Sequence, residues 1–314
     1  MLALLFPGQG SQAVGMGRDV YETSDAARAV FDAADAALGY PLARLCFEGP
    51  EEELVRTEVQ QPAILTTSIA LLRALEERGE LSPAYYAGHS LGEYSALVAA
   101  GALEFEDAVR LVQARGRFMQ EAVPEGRGAM AAILGLAPAA VSAACAFAAE
   151  ATGRVVAPAN FNGPAQTVIS GDAVAVEAAC SRAREQGAKR AVPLEVSAPF
   201  HCSLMRPAAE KLAPELARVR FRAPDAPVVT NVEATACSDE GLFPQLLEQQ
   251  VTAPVRFTEM IEFLAGAGVD RMLEIGPGRV LVGLVARISR EPARASLGIA
   301  KELEDAALFA TGAR

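Results

Sequence analysis

Two periodicities alternate along the chain. Short apolar runs closed by glycine or proline read as buried strands, and longer stretches in which apolar positions recur every three or four residues read as helices. Residues 1–6 and 84–87 are runs of the first kind, ending in Pro7-Gly8 and Gly88, and residues 227–232 and 269–275 read the same way. Helices are predicted over 25–38, over 62–78 with Pro62 in the first turn, over 93–100 and over 104–123. In the last of these Ala108, Leu111, Val112, Phe118, Met119 and Ala122 form one apolar stripe, while Arg110, Gln113, Arg117 and Glu121 trace the opposite face. Arg115 falls inside the stripe. From Gly128 the pattern becomes strand 130–136, helix 138–150, strands 155–161 and 166–170 around Asn162-Gly163-Pro164-Ala165, helix 173–186 and strand 189–196. That βαββαβ order predicts a ferredoxin-like subdomain over 127–197, inserted in a larger α/β domain made of 1–126 and 198–314. The crevice between the two is the natural place for a ligand. Helices over 202–219 and 242–250 follow, then a terminal helix after Glu302 that should fray over 311–314.

Charge and composition narrow the function classes. The 314 residues carry a net charge of -11, which disfavours nonspecific binding to nucleic acid or anionic membrane. An acidic partner would need a local basic patch, for which Lys189 and Arg190 are candidates. Five scattered cysteines without a C-x-x-C pair suggest neither a disulfide framework nor a zinc site, so no metal is expected and a reducing cytoplasm fits. The apolar start lacks a basic segment and stops at Pro7-Gly8, so it reads as a strand rather than a leader. Residues 128–149 are uncharged but alanine-rich and divided by Pro138, so they read as soluble strand and helix rather than a membrane span.

The chemistry centres on Gly88-His89-Ser90-Leu91-Gly92, which lies between a predicted strand and a predicted helix. A serine in G-x-S-x-G occupies a turn so tight that its flanks must be nearly free of side chains, which leaves its oxygen exposed at a helix N-terminus as a nucleophile. The chain has only two histidines. His89 should project away from its neighbour Ser90, so His201, in Pro199-Phe200-His201 at the domain junction, is the candidate base. The glycine-rich Phe6-Pro7-Gly8-Gln9-Gly10-Ser11 is a candidate oxyanion loop and lacks dinucleotide-binding spacing. Arg115, predicted to point inward, needs an anion, either an internal carboxylate such as Glu93 or a substrate carboxylate held by the guanidinium fork. Gly276-Pro277-Gly278 reads as a structural loop.

Together with Arg115-Gly116-Arg117-Phe118-Met119-Gln120 and Asn160-Phe161-Asn162, these motifs resemble the malonyl-CoA:acyl-carrier-protein transacylase family and its polyketide-synthase relatives, over nearly the whole chain. The resemblance implies that the large domain is α/β-hydrolase-like. It implies Ser90 as nucleophile, His201 as base oriented by the backbone carbonyl of Gln250, and the backbone N–H groups of Gln9 and Leu91 as oxyanion hole. It also implies Arg115 as the group that binds the malonyl carboxylate. Asn160 and Asn162 are either supporting pocket residues or turn formers. Phe200, bulky where some fatty-acid-synthesis members carry serine, keeps a malonyl preference and leaves the choice between fatty-acid and polyketide pathway open. The implied partners are malonyl-CoA and an acyl carrier protein, with no resident cofactor, and the chain is expected to be a monomer. A thioesterase or other hydrolase using the same Ser90 and His201 is the competing reading.

Overall fold

In the computed structural model, which describes residues 1–124 and 126–312, ten strands form two sheets. In chain order they are β1 (Leu2–Phe6), β2 (Tyr85–Gly88), β3 (Gly128–Leu134), β4 (Val156–Gly163), β5 (Gln166–Asp172), β6 (Arg190–Pro193), β7 (Val228–Val229), β8 (Ala236–Cys237), β9 (Arg271–Ile275) and β10 (Ala293–Leu297). The larger sheet has the order β10-β9-β1-β2-β7-β8 and is parallel except for the β7–β8 pair. Central β1 is buried along its whole length, as its unbroken apolar run Leu2-Ala3-Leu4-Leu5-Phe6 requires of a strand covered on both faces. Phe6 stands opposite Gly88 in register. The turns after β1 and β2 therefore leave the carboxyl end of the sheet side by side, where open α/β sheets bind ligands.

The helix expected from Pro62 instead spans Thr57–Glu76, with Pro62 inside it. The hydrogen bond that Pro62 lacks would have gone to Glu58, still in the first turn, so the break is cheap. The helix is buried on nearly every side, and packing rather than local propensity sets its start. The Phe105–Ala122 helix lies beside it, and Ala108, Leu111, Val112, Arg115 and Met119 face inward as the stripe predicts. The strand expected over 227–232 contracts to Val228–Val229, because the chain turns at Thr230, whose carbonyl accepts the Ala234 N–H at 2.9 Å.

The smaller sheet, β4-β5-β3-β6, is antiparallel throughout, the order of a ferredoxin-like βαββαβ unit. The helices Pro138–Thr152 and Ala173–Glu185 share its apolar core with Ile133, Val156 and Ile169. Strand β4 continues to Gly163, so Asn162 lies in a strand and the turn is reduced to Pro164-Ala165. Residues 128–149 divide between β3 and the Pro138–Thr152 helix, and no helix among the described residues is long and apolar enough to cross a membrane. The smaller sheet is tied to the larger body by two backbone bonds, Val255 N–H to Ala159 O (2.8 Å) and Phe161 N–H to Val255 O (2.9 Å). The last helix, Leu303–Thr311, stays regular to Thr311 and is closed by Gly312 in the left-handed region. The fraying expected at Ala313 and Arg314 lies outside the described residues.

Candidate active site

Ser90 sits on the turn between β2 and the Gly92–Ala99 helix, with φ of 52°. A Cβ on Gly88 would come within 2.0 Å of the Gly92 backbone, and one on Gly92 within 2.0 Å of Phe6 O. Both glycines are thus steric requirements of the elbow, and the serine between them adopts a backbone conformation that L residues rarely take. Its polar backbone groups are pinned: the Ser90 N–H donates to Asn231 Oδ1 (2.6 Å) and Ser90 O accepts from Gln250 Nε2 (3.1 Å).

Ser90 Oγ lies 2.7 Å from His201 Nε2, and His201 Nδ1 lies 2.9 Å from Gln250 O. A carbonyl can only accept, so Nδ1 carries the proton and Nε2 is left free to take one from the serine. His201 is buried and also strained, with φ of 59°. Burial, reinforced by the positive charge of Arg115, pushes its pKa from 6.5 down to about 3, so the imidazole is neutral near pH 7. His89 turns away from the serine. Its Nε2 lies 2.8 Å from Asn162 Oδ1, its ring packs on Phe257, and burial lowers its pKa.

Arg115 is only 1% exposed, and every hydrogen-bond acceptor it reaches is neutral. Nη1 donates to Gln61 Oε1 (2.8 Å), while Nη2 donates to Gln250 Oε1 (2.9 Å) and to Ser90 Oγ (3.0 Å). Nε is buried without a partner among the described residues, and the guanidinium carbon stands 5.6 Å from the Tyr94 ring centre. Of the two anions open from periodicity, Glu93 is not in contact. The Gln250 amide stands between them, accepting from Arg115 and donating from Nε2 to Glu93 Oε2 at 2.7 Å. Burial raises the Glu93 pKa to about 7, against the lowering effect of the hydrogen bonds it accepts from Asn231 N–H and Gln250. A buried guanidinium served only by amides and a hydroxyl, directly beside the elbow serine, has unused capacity for a carboxylate.

These groups open into a cavity of about 540 Å³ between the two sheets, lined by Gln9, Ser90 and His201 together with Met130, Asn160 and Phe200. Asn162 is not part of that lining and instead holds His89. The backbone N–H groups of Gln9 and Leu91 donate to no protein acceptor among the described residues, and Leu91 is the N-cap of the helix that follows the elbow. The Gln9 side chain is held by Gln60 and Gln61. Among the described residues no cluster of His, Cys, Asp or Glu could hold a metal ion. Gln61, Asn231 and the side chain of Gln250 carry no sequence motif of their own. The detectable signals are an adjacent pair of amides, Gln60-Gln61, in a largely buried helix, and an Asn two residues after Val229 at the carboxyl end of a parallel strand.

A serine with a neutral imidazole, two unpaired main-chain donors and a buried guanidinium is equipped to move an anionic acyl group. The comparisons with known proteins agree. The family model for the acyl transferase domain matches residues 3–312. The malonyl CoA-acyl carrier protein transacylase of Escherichia coli (strain K12) is 53% identical over 286 residues, covering 91% of this chain and 92% of that one. The crystal structure of an acyl carrier protein S-malonyltransferase from Vibrio cholerae superposes with a TM-score of 0.94 at 47% identity, over 97% of this chain and 99% of that chain. A malonyl-transacylase in complex with its type II PKS acyl-carrier protein has the same TM-score and identity, over 97% of this chain and 98% of that chain. With the elbow, the buried arginine and the two-sheet architecture all in one chain, and with the match running almost from end to end, the protein belongs to the acyl transferase domain family.

Proposed function

We propose that the protein transfers the malonyl group of malonyl-CoA, through an ester on Ser90, to the phosphopantetheine thiol of an acyl carrier protein in fatty-acid synthesis. The observation that carries this reading is the 3.0 Å separation of Arg115 Nη2 from Ser90 Oγ, which places a carboxylate-binding fork beside the acyl-accepting oxygen. The relatives named above bear the same activity in their names.

Ser90 Oγ attacks the thioester carbonyl as His201 Nε2 takes its proton. The tetrahedral oxyanion is held by the N–H groups of Gln9 and Leu91, and the imidazolium by Gln250 O at Nδ1. The C–S bond then breaks, the proton passes from His201 to the CoA sulfur, and a malonyl-serine ester remains. The carrier thiol gives its proton to His201 and attacks that ester, and Ser90 recovers the proton as it leaves. Asn160 and Phe200 wall the acyl pocket, and Asn162 holds the His89 ring at its edge, turned away from Ser90. The CoA thioester is a substrate, so the scheme needs no resident cofactor, and the cytoplasm is its proposed setting. We assign residues 127–197 to the inserted subdomain and 1–126 with 198–314 to the catalytic domain.

An acidic carrier protein would meet Lys189 and Arg190, which are both exposed at the start of β6, whose continuation Leu194 to Ser197 borders the cavity. Reversing both charges should raise the Michaelis constant for the carrier several-fold and leave acylation by malonyl-CoA unchanged. An unchanged carrier constant would remove the patch from the docking surface.

The pH profile tests the base. A general base works only when neutral, and the His201 pKa is lowered from 6.5 to about 3. The kcat/KM for acylation by malonyl-CoA, which reports the free enzyme, should therefore stay level as pH falls through 6.5 to about 5. An acid limb centred near 6.5 would show an ordinary histidine or a different base.

The reading as a whole is tested by intact-protein mass spectrometry after mixing with malonyl-CoA, followed by a chase with phosphopantetheinylated carrier protein. A malonyl adduct that survives in buffer and passes to the carrier is the expected result. An adduct lost equally fast to water would make the protein a hydrolase.

A further inference from the structure

The nucleophile elbow holds a residue in the left-handed region, and the groups that hold it converge on one buried side chain. Glu93, three residues after Ser90 and 1% exposed, accepts the Asn231 N–H (3.0 Å) and the Gln250 Nε2–H (2.7 Å) on the same oxygen, Oε2. Each of these partners serves the serine directly. Asn231 Oδ1 takes the Ser90 N–H at 2.6 Å while its Nδ2 donates to Gly88 O at 2.7 Å, and Gln250 Nε2 donates to Ser90 O at 3.1 Å. Gln250 also offers Oε1 to Arg115 and its backbone carbonyl to His201.

We infer that Glu93 is a positioning residue for the reaction: by binding Asn231 and Gln250 on one carboxylate oxygen, it locks both backbone polar groups of Ser90 and fixes which end of the Gln250 amide faces Arg115. An amide turned end for end would present two donors to the guanidinium and none to the serine carbonyl. The Glu93 hydrogen bond selects the productive orientation, because only the NH2 end can donate to a carboxylate. The inference rests on Ser90 being the nucleophile. It assigns Glu93 no contact with substrate and no proton transfer. What matters is an acceptor oxygen at the right reach rather than a negative charge, in keeping with the raised pKa of this carboxyl.

Two substitutions separate reach from charge. Glu93→Gln keeps the reach and one acceptor oxygen, whereas Glu93→Asp keeps the charge and withdraws the oxygen by one methylene. The rate constant of Ser90 acylation by malonyl-CoA, measured by rapid quench and mass spectrometry on protein shown to be folded by circular dichroism, should fall less than about threefold in Glu93→Gln. It should fall about 100-fold in Glu93→Asp, the order of loss that follows a misplacement near 1 Å. The Michaelis constant for malonyl-CoA and the malonyl-to-acetyl preference should stay near wild type in Glu93→Gln, where the Gln250 amide keeps its orientation and Arg115 its acceptor. Glu93→Asp acylating as fast as Glu93→Gln or faster, or a loss in Glu93→Gln as deep as in Glu93→Asp, overturns the inference. A wild-type protein that forms no adduct would instead overturn the proposed function.

Discussion

Ser90→Ala should form no malonyl adduct and should lower malonyl transfer roughly 10⁶-fold, the scale of loss seen when a serine acyltransfer unit loses its nucleophile. The size follows from geometry. Ser90 Oγ is the hydroxyl placed 2.7 Å from the neutral nitrogen of His201, and without it the histidine has no proton to take and the acyl group no oxygen to bind. The variant should remain folded. The backbone bonds from Ser90 to Asn231 and Gln250 do not involve the hydroxyl, and Arg115 Nη2 keeps Gln250 Oε1 as acceptor. Alanine and serine meet the same steric cost at a φ of 52°, so no new backbone strain is added. Intact mass after mixing with malonyl-CoA, beside a thermal melt, is the measurement. A malonyl adduct that persists in folded Ser90→Ala would place the nucleophile elsewhere.

Much of this site is legible in the chain because its chemistry uses local patterns. The elbow needs two glycines at fixed offsets from Ser90, and the inward turn of Arg115 is written in the spacing of the apolar positions around it. The βαββαβ order is visible because strand and helix periods differ, and the observed sheet order matches that reading. What escaped is what depends on contacts across the fold. Pro62 reads as a helix start, yet burial carries the helix five residues further back to Thr57. The run 227–232 reads as one strand, yet Asn231 is drawn out of the sheet to bind the elbow 141 residues earlier in sequence. Glu93 was one of two possible anions for Arg115, and only three dimensions reveal the Gln250 amide interposed between them. Polar side chains that support a site from behind follow no spacing rule, since their partners come from separate strands and helices.

Arg115→Ala should reverse the acyl preference, lowering kcat/KM for malonyl-CoA about 10³-fold while leaving acetyl-CoA unchanged or improved. Breaking a buried ion pair by removing one partner costs about 3–5 kcal/mol, and each 1.4 kcal/mol is tenfold. In the malonyl ester the pair would be Arg115 and the terminal carboxylate, enclosed in a pocket where the guanidinium otherwise meets only amides and a hydroxyl. An acetyl group brings no charge, gains nothing from the guanidinium and leaves it without its anion, so it has nothing to lose when Arg115 is removed. The substitution also takes a donor from Gln61 and from Gln250, but Gln61 retains its bond to Gln9 and Gln250 retains Glu93 and the Ser90 carbonyl. The catalytic pair should therefore survive. Arg115→Lys supplies a point charge without the planar fork and should fall between the two. Parallel half-reactions with malonyl-CoA and acetyl-CoA decide the matter: an equal loss for both would make Arg115 a support of the serine and histidine, whereas a loss confined to malonyl makes it the group that recognises the substrate charge.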